Sequence, residues 1–206
     1  MSITLESWRR LWGELGAREV NGGLMNQLVA AHSERHRRYH TLQHLRECLA
    51  HFDAAAALAR HPAEVELALW FHDAVYDPQR SDNEERSAAW AHDSVLAAGC
   101  PAEVADRVAA LVRLTQGHAA PDGDPDADLM LDVDLAVLGA TPARFAEYER
   151  QIRAEYAHLA EADFRAGRRR VLEGFLARPR IYRTGPFHDA LEARARANLQ
   201  HALAAL

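Results

Sequence analysis

The sequence predicts an all-α protein, a single-domain helical bundle, from three observations. Ala, Leu, Arg and Glu dominate the composition, and all four are strong helix formers. The alternating β-branched pattern that marks strands is missing. Apolar residues recur instead at spacings of three and four, the period of one helix face. With 206 residues and no repeat or linker, we expect one domain over 1–206, with helices 142–206 packing on a core at about 30–140.

Composition excludes several classes of protein. A hydrophobic fraction of 49% and a charged fraction of 26% are ordinary for a soluble globular chain. The net charge of −6 gives no strong signal for nucleic acid, and no apolar run approaches the roughly 20 residues that span a membrane. Two cysteines, Cys48 and Cys100, predict neither a disulfide framework nor a thiolate zinc site. Without a signal-peptide pattern at the N-terminus, we expect a cytoplasmic location.

Caps and periodicity predict the first four helices. Apolar spacing of three and four predicts a first helix through Leu5, Trp8, Leu11, Trp12 and Leu15. Asn21, followed by two glycines, marks a break before a second helix. Thr41 is placed to cap the third helix. Pro62, just inside a helix start, opens a fourth that we expect to run on through His72 and Asp73.

The middle of the chain carries two helix starts and the clearest loop. Ser81 followed by Glu84 has the spacing of a capping box, which predicts a helix start there. Gly99 and then Pro101 predict the end of that helix and the start of another. The stretch 117–126, rich in glycine, proline and aspartate, is predicted to be a long loop.

The last part of the chain is predicted to be helical as well. A short apolar helix over 129–138 should be closed by Gly139. Thr141, with proline at the next position, predicts the cap of a long helix. Further helices are expected around 171–176 and 191–203.

An adjacent histidine and aspartate, His72 and Asp73, lie inside an apolar run. A buried charge is costly unless it is paired or binds a metal, and imidazole nitrogen with carboxylate oxygen suits a divalent ion. A core pair in which the ring donates to the carboxylate is the alternative. If both residues are helical they point about 100° apart, so an ion would lie off the helix flank. Further ligands must then come from other helices.

Two other segments could supply those ligands. His40 and His44 are four residues apart and share one helix face if their segment is helical. Asp132 and Asp134 are two residues apart, so only one of them can face the metal. We expect the other histidines, His32 among them, to lie on the surface. The same expectation applies to the arginine run 168–170.

These segments together resemble a known family. The ordered motifs are Tyr-His-Thr-Leu-Gln-His at 39–44, Trp-Phe-His-Asp-Ala-Val-Tyr at 70–76, Asp-Asn-Glu-Glu-Arg-Ser-Ala at 82–88 and Leu-Asp-Val-Asp-Leu-Ala-Val-Leu-Gly at 131–139. Shorter segments at 153–156 and 195–199 also fit. The chain is similar to a small bacterial branch of the HD superfamily of metal-dependent phosphohydrolases, from about residue 30 to about residue 200.

The resemblance implies an HD-type helical bundle that holds a divalent metal ion. It implies His44, His72 and Asp73 as ligands, with one later aspartate. We prefer Asp134 as that last ligand and keep Asp132 as the alternative. The sequence does not distinguish Mn, Fe, Zn, Mg, Ni and Co.

The resemblance also suggests which residues act on a substrate. Asp73 and Glu84 are the candidate catalytic residues, although a capping role would equally explain Glu84. His40, Arg37 and His118 are the candidate substrate-binding residues. Each has a simpler interpretation: His40 as a group behind the ligands, Arg37 as part of a solvated basic turn, and His118 as an exposed loop residue.

The function implied is hydrolysis of a small phosphorylated molecule, with a nucleotide as the leading candidate, through a metal-activated water. A non-catalytic module that binds a metal or ligand for regulation is the first alternative. A di-metal oxygenase on the same fold is the second, and it would need extra histidine ligands between Asp73 and Asp134. No membrane partner is expected, and a homodimer is compatible with the sequence.

Overall fold

The computed structural model describes residues 3–206, and within this range it contains ten α-helices and no strand. The predicted all-α helical bundle is therefore confirmed. Two short 3-10 segments, Ala56–Leu58 and Leu135–Gly139, accompany the helices. The helices are α1 (Leu5–Glu14), α2 (Gly22–Ala31), α3 (Leu42–Ala55), α4 (Pro62–Phe71), α5 (Asn83–Ala97), α6 (Ala102–Leu114), α7 (Pro125–Asp134), α8 (Pro142–Glu155), α9 (Glu161–Ala177) and α10 (Gly185–Ala205). No helix in the described range has the length and apolar character needed to cross a membrane.

Helix α4 lies at the centre of the bundle and contacts α1, α3, α5, α6 and α7. Every residue from Glu64 to Phe71 is buried. Two of them are acidic, and each is paired with an arginine because an unpaired buried charge is costly. Glu64 accepts two hydrogen bonds from Arg107 at 2.6 and 2.5 Å, and Glu66 accepts two from Arg10 at 2.9 and 2.7 Å.

Aromatic side chains fill the core on one side of α4. Trp8 makes edge-to-face contacts with Trp12 and Trp70, with ring centroids 5.6 and 5.0 Å apart. Such pairs stabilise a core beyond the area they bury. Trp90 is only half-buried and packs edge-on against Phe71 from α5. The contacts of Trp8 with Trp12 and Trp70 thus anchor α1 to the central helix.

Local caps account for several helix starts and overturn one prediction. The Thr41 and Thr141 hydroxyls accept hydrogen bonds from the backbones of Gln43 and Arg144, as expected for helix caps. The predicted capping box at Ser81 is wrong. Residue 82 is the cap of α5, and within the described chain its side chain makes no capping hydrogen bond. That aspartate instead pairs with the guanidinium of Arg80.

Helix α7 begins earlier than apolar periodicity indicated, at Pro125 rather than at residue 129. Asp124 caps it by accepting hydrogen bonds from two backbone amides, and proline occupies the first helical position. The helix ends at Asp134 and continues as a 3-10 turn that ends at Gly139. A Cβ on this glycine would lie 2.6 Å from Cβ of Leu191, so its absence allows α10 to approach.

Two side chains expected on the surface are buried. Arg168 pairs with Glu149, and its guanidinium lies 5.1 Å from the ring centroid of Tyr148. His32 is fully buried, with Nε2 3.3 Å from the carbonyl oxygen of Trp70. Burial lowers the pKa of His32 to about 3, because a charged imidazole would lose its hydration there.

We predict that His32 makes the fold sensitive to acid. Its folded pKa lies below the ordinary value of 6.5, so the unfolded chain takes up a proton first as the pH falls. Between pH 6.5 and about pH 4.5 the free energy of unfolding should fall by about 2 kcal/mol from this residue alone. Urea unfolding of chelator-treated protein, followed by circular dichroism at several pH values, measures this change.

His32→Leu should lack this component of the pH dependence. His36→Leu is the matched control, since His36 is an exposed neighbour on the same connection. Equal pH dependence in wild type and His32→Leu would show that the imidazole does not carry the effect.

Candidate metal centre

Three helix ends bring four polar side chains to one buried point. His44 lies in the first turn of α3, and His72 and Asp73 follow directly on the last residue of α4. Asp134 is the last residue of α7. Both histidines are 2% exposed, and the side chains of the two aspartates are 16% and 11% exposed. The four predicted ligands are therefore together and largely removed from water.

The distances among these side chains match those of ligands around one ion. Nε2 of His44 and Nε2 of His72 lie 3.1 Å apart. Asp73 Oδ2 is 3.0 Å from the His72 nitrogen and 3.5 Å from the His44 nitrogen. Asp134 Oδ1 lies 3.2 Å from the His44 nitrogen and 3.4 Å from that of His72. Ligand atoms about 2.1 Å from one ion are separated by about 3.0 to 3.4 Å in octahedral or tetrahedral geometry.

The turn after α4 explains how adjacent residues reach the same point. The helix ends at Phe71, so the prediction that it continues through His72 and Asp73 is wrong. His72 keeps helical backbone angles, and the backbone amide of Ala74 donates to the carbonyl oxygen of Phe71 at 2.8 Å, which closes a tight turn around His72 and Asp73. Arg37 fixes this turn by donating to the carbonyl oxygens of Asp73 and Ala74, the second at 3.0 Å.

Arg37 is buried, whereas the sequence suggested a substrate-binding residue or a solvated basic turn. Its side chain is fully buried, and it also donates to the carbonyl oxygen of His40 and to the carboxylate of Glu34. It does not line the cleft above the centre. The structure does not support substrate binding by Arg37, because its donors are already used to hold backbone in place.

Two observations test whether the donor set fits a cation. Nδ1 of His72 donates to the carbonyl oxygen of Leu69 at 2.8 Å, which leaves Nε2 as the nitrogen directed at the other ligands. In the described part of the chain, no hydrogen bond is well aligned on the buried Asp73 Oδ2, although Nε2 of His72 lies 3.0 Å from it. A buried acceptor without a well-aligned donor is costly, and a bound cation would satisfy it. Both features fit a metal ion.

Neighbouring imidazoles keep the two carboxylates of the cluster ionised, which is the form that binds a cation. Burial alone would raise the pKa of Asp73, but the charges of His72 and His40 hold it well below its usual range. Burial likewise opposes ionisation of Asp134, but hydrogen bonds from His118, His44 and His72 hold its pKa well below its usual value. The two carboxylates in turn raise the pKa of His72 well above its usual value, against the effect of burial. A cation would take the place of that proton.

His118 contacts the centre through Asp134. Its Nε2 lies 3.0 Å from Asp134 Oδ2, the oxygen that does not face the other ligands. Its φ of +47° is the one positive value found for a non-glycine residue within 3–206, and such strain is typical of functional sites. Arg178 donates to the carbonyl oxygens of Gly117 and His118 and so holds this conformation. Sequence reasoning missed Arg178, which lies 60 residues from His118.

Asp132, the alternative ligand, has both oxygens occupied by backbone hydrogen bonds. It is fully buried, and its two oxygens accept from the backbone amides of Arg183 and Thr184, both at 2.7 Å. Asp132 therefore anchors the connection before α10, while Asp134 points into the cluster. This arrangement favours Asp134, the preferred of the two candidates.

Sequence reasoning also missed Cys48. His44, Cys48, His72 and Asp134 form a buried group that could hold a metal ion, with one ligand atom from each within 4.8 Å of the others. The signal available was the spacing of one helical turn from His44. The sulfur lies 3.6 and 3.7 Å from the two ring nitrogens, so it is not aligned with the lone pair of either nitrogen. Burial raises the pKa of the thiol well above its usual value, which keeps it protonated.

A cleft of about 360 Å³ opens above the centre and exposes Asp73 and Asp134. His40, Glu84 and His118, three of the predicted catalytic and substrate-binding residues, line it. Much of the remaining wall is aromatic: Tyr39, Tyr76, Tyr148, Tyr156 and Phe175. The cleft therefore joins the ligand cluster to a mixed polar and aromatic surface.

Comparisons with known protein families, curated proteins and solved structures find no match. The function is therefore inferred from the geometry of the centre and from the sequence motifs.

We predict that substitution distinguishes the roles of Asp132 and Asp134. Asp134→Ala should lose the metal, because it removes an oxygen from the cluster, and the helical fold should remain. Asp132→Ala should keep stoichiometric metal but lower the free energy of unfolding by about 2 to 4 kcal/mol, because two buried amides lose their acceptor. Metal content by mass spectrometry and urea unfolding measure the two effects. The reverse ranking for metal content would assign the ligand to Asp132.

We also predict that His118 supports Asp134. His118→Asn tolerates the left-handed backbone but is too short to reach the carboxylate. Metal affinity, measured by competition with a chelator, should fall by about 10- to 100-fold. His92→Asn is the matched control, because His92 also contacts aspartates and is similarly exposed but lies on α5 outside the cleft. An unchanged affinity in His118→Asn would mean that the contact does not orient the ligand.

Proposed function

We propose that this protein is a metal-dependent phosphohydrolase of the HD superfamily type, acting on a phosphate ester of a small molecule. The observation that carries the proposal is the meeting of two imidazole nitrogens and two carboxylate oxygens at 3.0 to 3.5 Å on the floor of a cleft. The ordered histidine and aspartate motifs of the sequence support the same conclusion.

The residues present fit a divalent ion. His44, His72, Asp73 and Asp134 would hold it, with the remaining positions open toward the cleft. Imidazole and carboxylate together suit Mn, Fe, Zn, Co or Ni. When bound, such an ion lowers the pKa of a water molecule and polarises a phosphoryl oxygen. Binding would release the proton of His72, so metal affinity should strengthen as the pH rises.

Several side chains in the cleft are placed to bind a phosphoryl group. His40 and His118 line the cleft next to the ligands. The hydroxyl of Tyr39 is buried without a hydrogen-bond partner among the described residues, and burial raises its pKa well above its usual value. It therefore keeps its proton and would donate to a phosphoryl oxygen. Glu84 lies on the same wall and would orient the attacking water.

The aromatic wall would receive the organic part of the substrate. Tyr76 and Tyr156 are partly exposed in the cleft, and Phe175 closes one side. Flat aromatic surfaces bind planar groups through stacking and dispersion. This lining supports a nucleotide or another phosphate ester with a planar body.

The alternatives gain no comparable support from the geometry. An oxygenase would need further histidine ligands between Asp73 and Asp134. His92 lies outside the cleft against Asp93 and Asp106, and His118 contacts Asp134 Oδ2. A purely regulatory metal module would use the same ligands, so turnover is the property that separates it from a hydrolase.

We predict that Asp73→Ala abolishes both metal retention and hydrolysis. The wild-type protein, loaded with Mn, Fe, Zn, Co or Ni, should bind about one ion per chain and release phosphate from a panel of nucleotides and aryl phosphates. The variant should lose about a thousandfold or more in kcat/KM because the cation no longer binds. Phosphate release and metal content by mass spectrometry are the measurements.

Asp93→Ala is the matched control, since His92 and Asp93 form a second histidine-aspartate pair, on α5, and the Asp93 side chain is exposed. It should keep full metal content and activity. Stoichiometric metal in Asp73→Ala would refute the ligand assignment. A metal-loaded wild type that cleaves no ester of the panel would refute the hydrolase and leave a metal-binding module.

A further inference from the structure

A second groove lies beside the cleft, between α8 and α9. Its volume is about 580 Å³, and cavities of roughly 300 to 1,000 Å³ are typical of small-molecule sites. His40, Ile152 and Tyr156 line both the groove and the cleft. Helix α9 supplies most of the remaining wall, including Phe164, Gly167, Arg170 and Val171. This α8–α9 groove therefore adjoins the cleft that exposes the candidate metal centre.

Contacts within the protein fix the side chains where the cleft and the groove meet. Nδ1 of His40 lies 2.7 Å from Oε2 of Glu155, and the His40 ring stacks on Tyr76 with centroids 4.1 Å apart. On the other side of the junction, Arg153 donates a hydrogen bond to the carbonyl oxygen of Tyr156 at 2.9 Å. The passage from one cavity to the other is therefore formed without a ligand.

The surface of the groove is mostly apolar. Val171 is 46% exposed, whereas most large apolar side chains of the described chain are buried. The half-buried ring of Phe164 has its centroid 6.4 Å from that of Tyr156, and the guanidinium carbon of Arg153 lies 4.7 Å from it. Ligand pockets are lined mainly by apolar and aromatic side chains. The lining of the α8–α9 groove thus suits an apolar molecule.

The charged side chains of α9 in the groove offset one another. Arg168 is paired with the carboxylate of Glu149. Asp163 and Arg170 are exposed, carry opposite charges and lie about two turns apart on the face of α9 that lines the groove. An occupant would therefore gain little from a second charge, and the groove favours an uncharged group.

Gly167 is the smallest residue of the groove wall. A Cβ at this position would meet nothing within 4 Å beyond the adjacent backbone, so a larger side chain would occupy the groove without a clash. Gly174 is the matched position on α9. A Cβ there would also meet nothing within 4 Å, and Gly174 lines neither the groove nor the cleft.

We propose that the α8–α9 groove binds the organic body of the substrate while its phosphoryl group lies at the candidate metal centre. The substrate class is then a phosphate ester of an uncharged alcohol whose apolar chain or ring system extends beyond the cleft. This inference rests on the proposed function and narrows it. The cleft of about 360 Å³ and the adjoining groove together accept a longer molecule than the cleft alone. Gly167 determines the length that is accepted.

The first test measures kcat/KM of the metal-loaded protein for n-butyl, n-hexyl and n-octyl phosphate, below the concentrations at which they form micelles. Burial of the chain should raise kcat/KM about fourfold for each added methylene, because apolar surface leaves water. Gly167→Leu fills the groove and should remove most of this increase, so its largest loss is for the octyl ester. Released phosphate is the quantity measured.

Gly174→Leu is the matched control, because it places the same side chain on the same helix outside the groove. It should keep the wild-type dependence on chain length. Circular dichroism and metal content of each variant verify that the fold and the centre remain. If Gly167→Leu retains the full increase with chain length, the groove does not bind the substrate body, although the hydrolase itself would stand.

A second test needs neither turnover nor metal. We would titrate n-octanol into metal-free protein with carbon-13-labelled valine methyl groups and identify the Val171 signal by its loss in Val171→Ala. That signal should shift with saturation in the wild type and in Gly174→Leu, but not in Gly167→Leu. An unshifted Val171 signal in the wild type would overturn the groove as a binding site, whether or not the protein is active. A saturable shift in a protein that cleaves no ester would count against the proposed function alone.

Discussion

The buried guanidinium of Arg37 is the interaction on which the candidate site depends. It binds the carbonyl oxygens of Asp73 and Ala74 and so fixes the turn that follows α4. A hydrogen bond from the backbone amide of Ala74 to the carbonyl oxygen of Phe71, at 2.8 Å, closes the same turn around His72 and Asp73. With it, both side chains reach one point, where His44 meets them from the start of α3. The buried guanidinium of Arg37 thus holds the backbone that carries two of the four side chains of the candidate metal centre.

Carboxylates with similar burial take different roles because their hydrogen-bond donors differ. Asp132 and Asp126 have their oxygens occupied by backbone amides and, for Asp126, an imidazole, so they hold loops. Asp73 has a buried oxygen without a well-aligned donor in the described range, and Asp134 shares its oxygens among histidines. Glu155 resembles Asp126, since one of its oxygens holds a loop and the other contacts an imidazole. Backbone amides thus occupy the oxygens of the structural carboxylates, whereas the carboxylates of the candidate centre contact imidazoles.

The candidate site contains features that destabilise the fold, and the rest of the bundle must offset their free energy. Two ionised carboxylates lie near each other, and His118 adopts a left-handed backbone conformation. Each such feature is destabilising unless its surroundings hold it. The support comes from rigid neighbours, namely the buried helix α4 and the Arg178 side chain that binds the backbone of His118. These contacts hold the side chains of the cluster close together, in an arrangement that could hold a cation.

The all-α class and most helix starts could be predicted from the sequence, and its resemblance to a known family implied the four residues of the cluster. Helix caps and amphipathic periodicity are interactions between residues a few positions apart, so they can be read locally. The histidine-aspartate dipeptide also occurs at 92–93 and 188–189, and the ordered motifs around it are what single out the pair at 72–73. The different surroundings of Asp132 and Asp134, and the contacts of Arg37, Arg178 and Glu155, are visible only in the tertiary structure. Those contacts depend on how distant helices pack, with partners 36 to 117 residues away, and no local pattern encodes that.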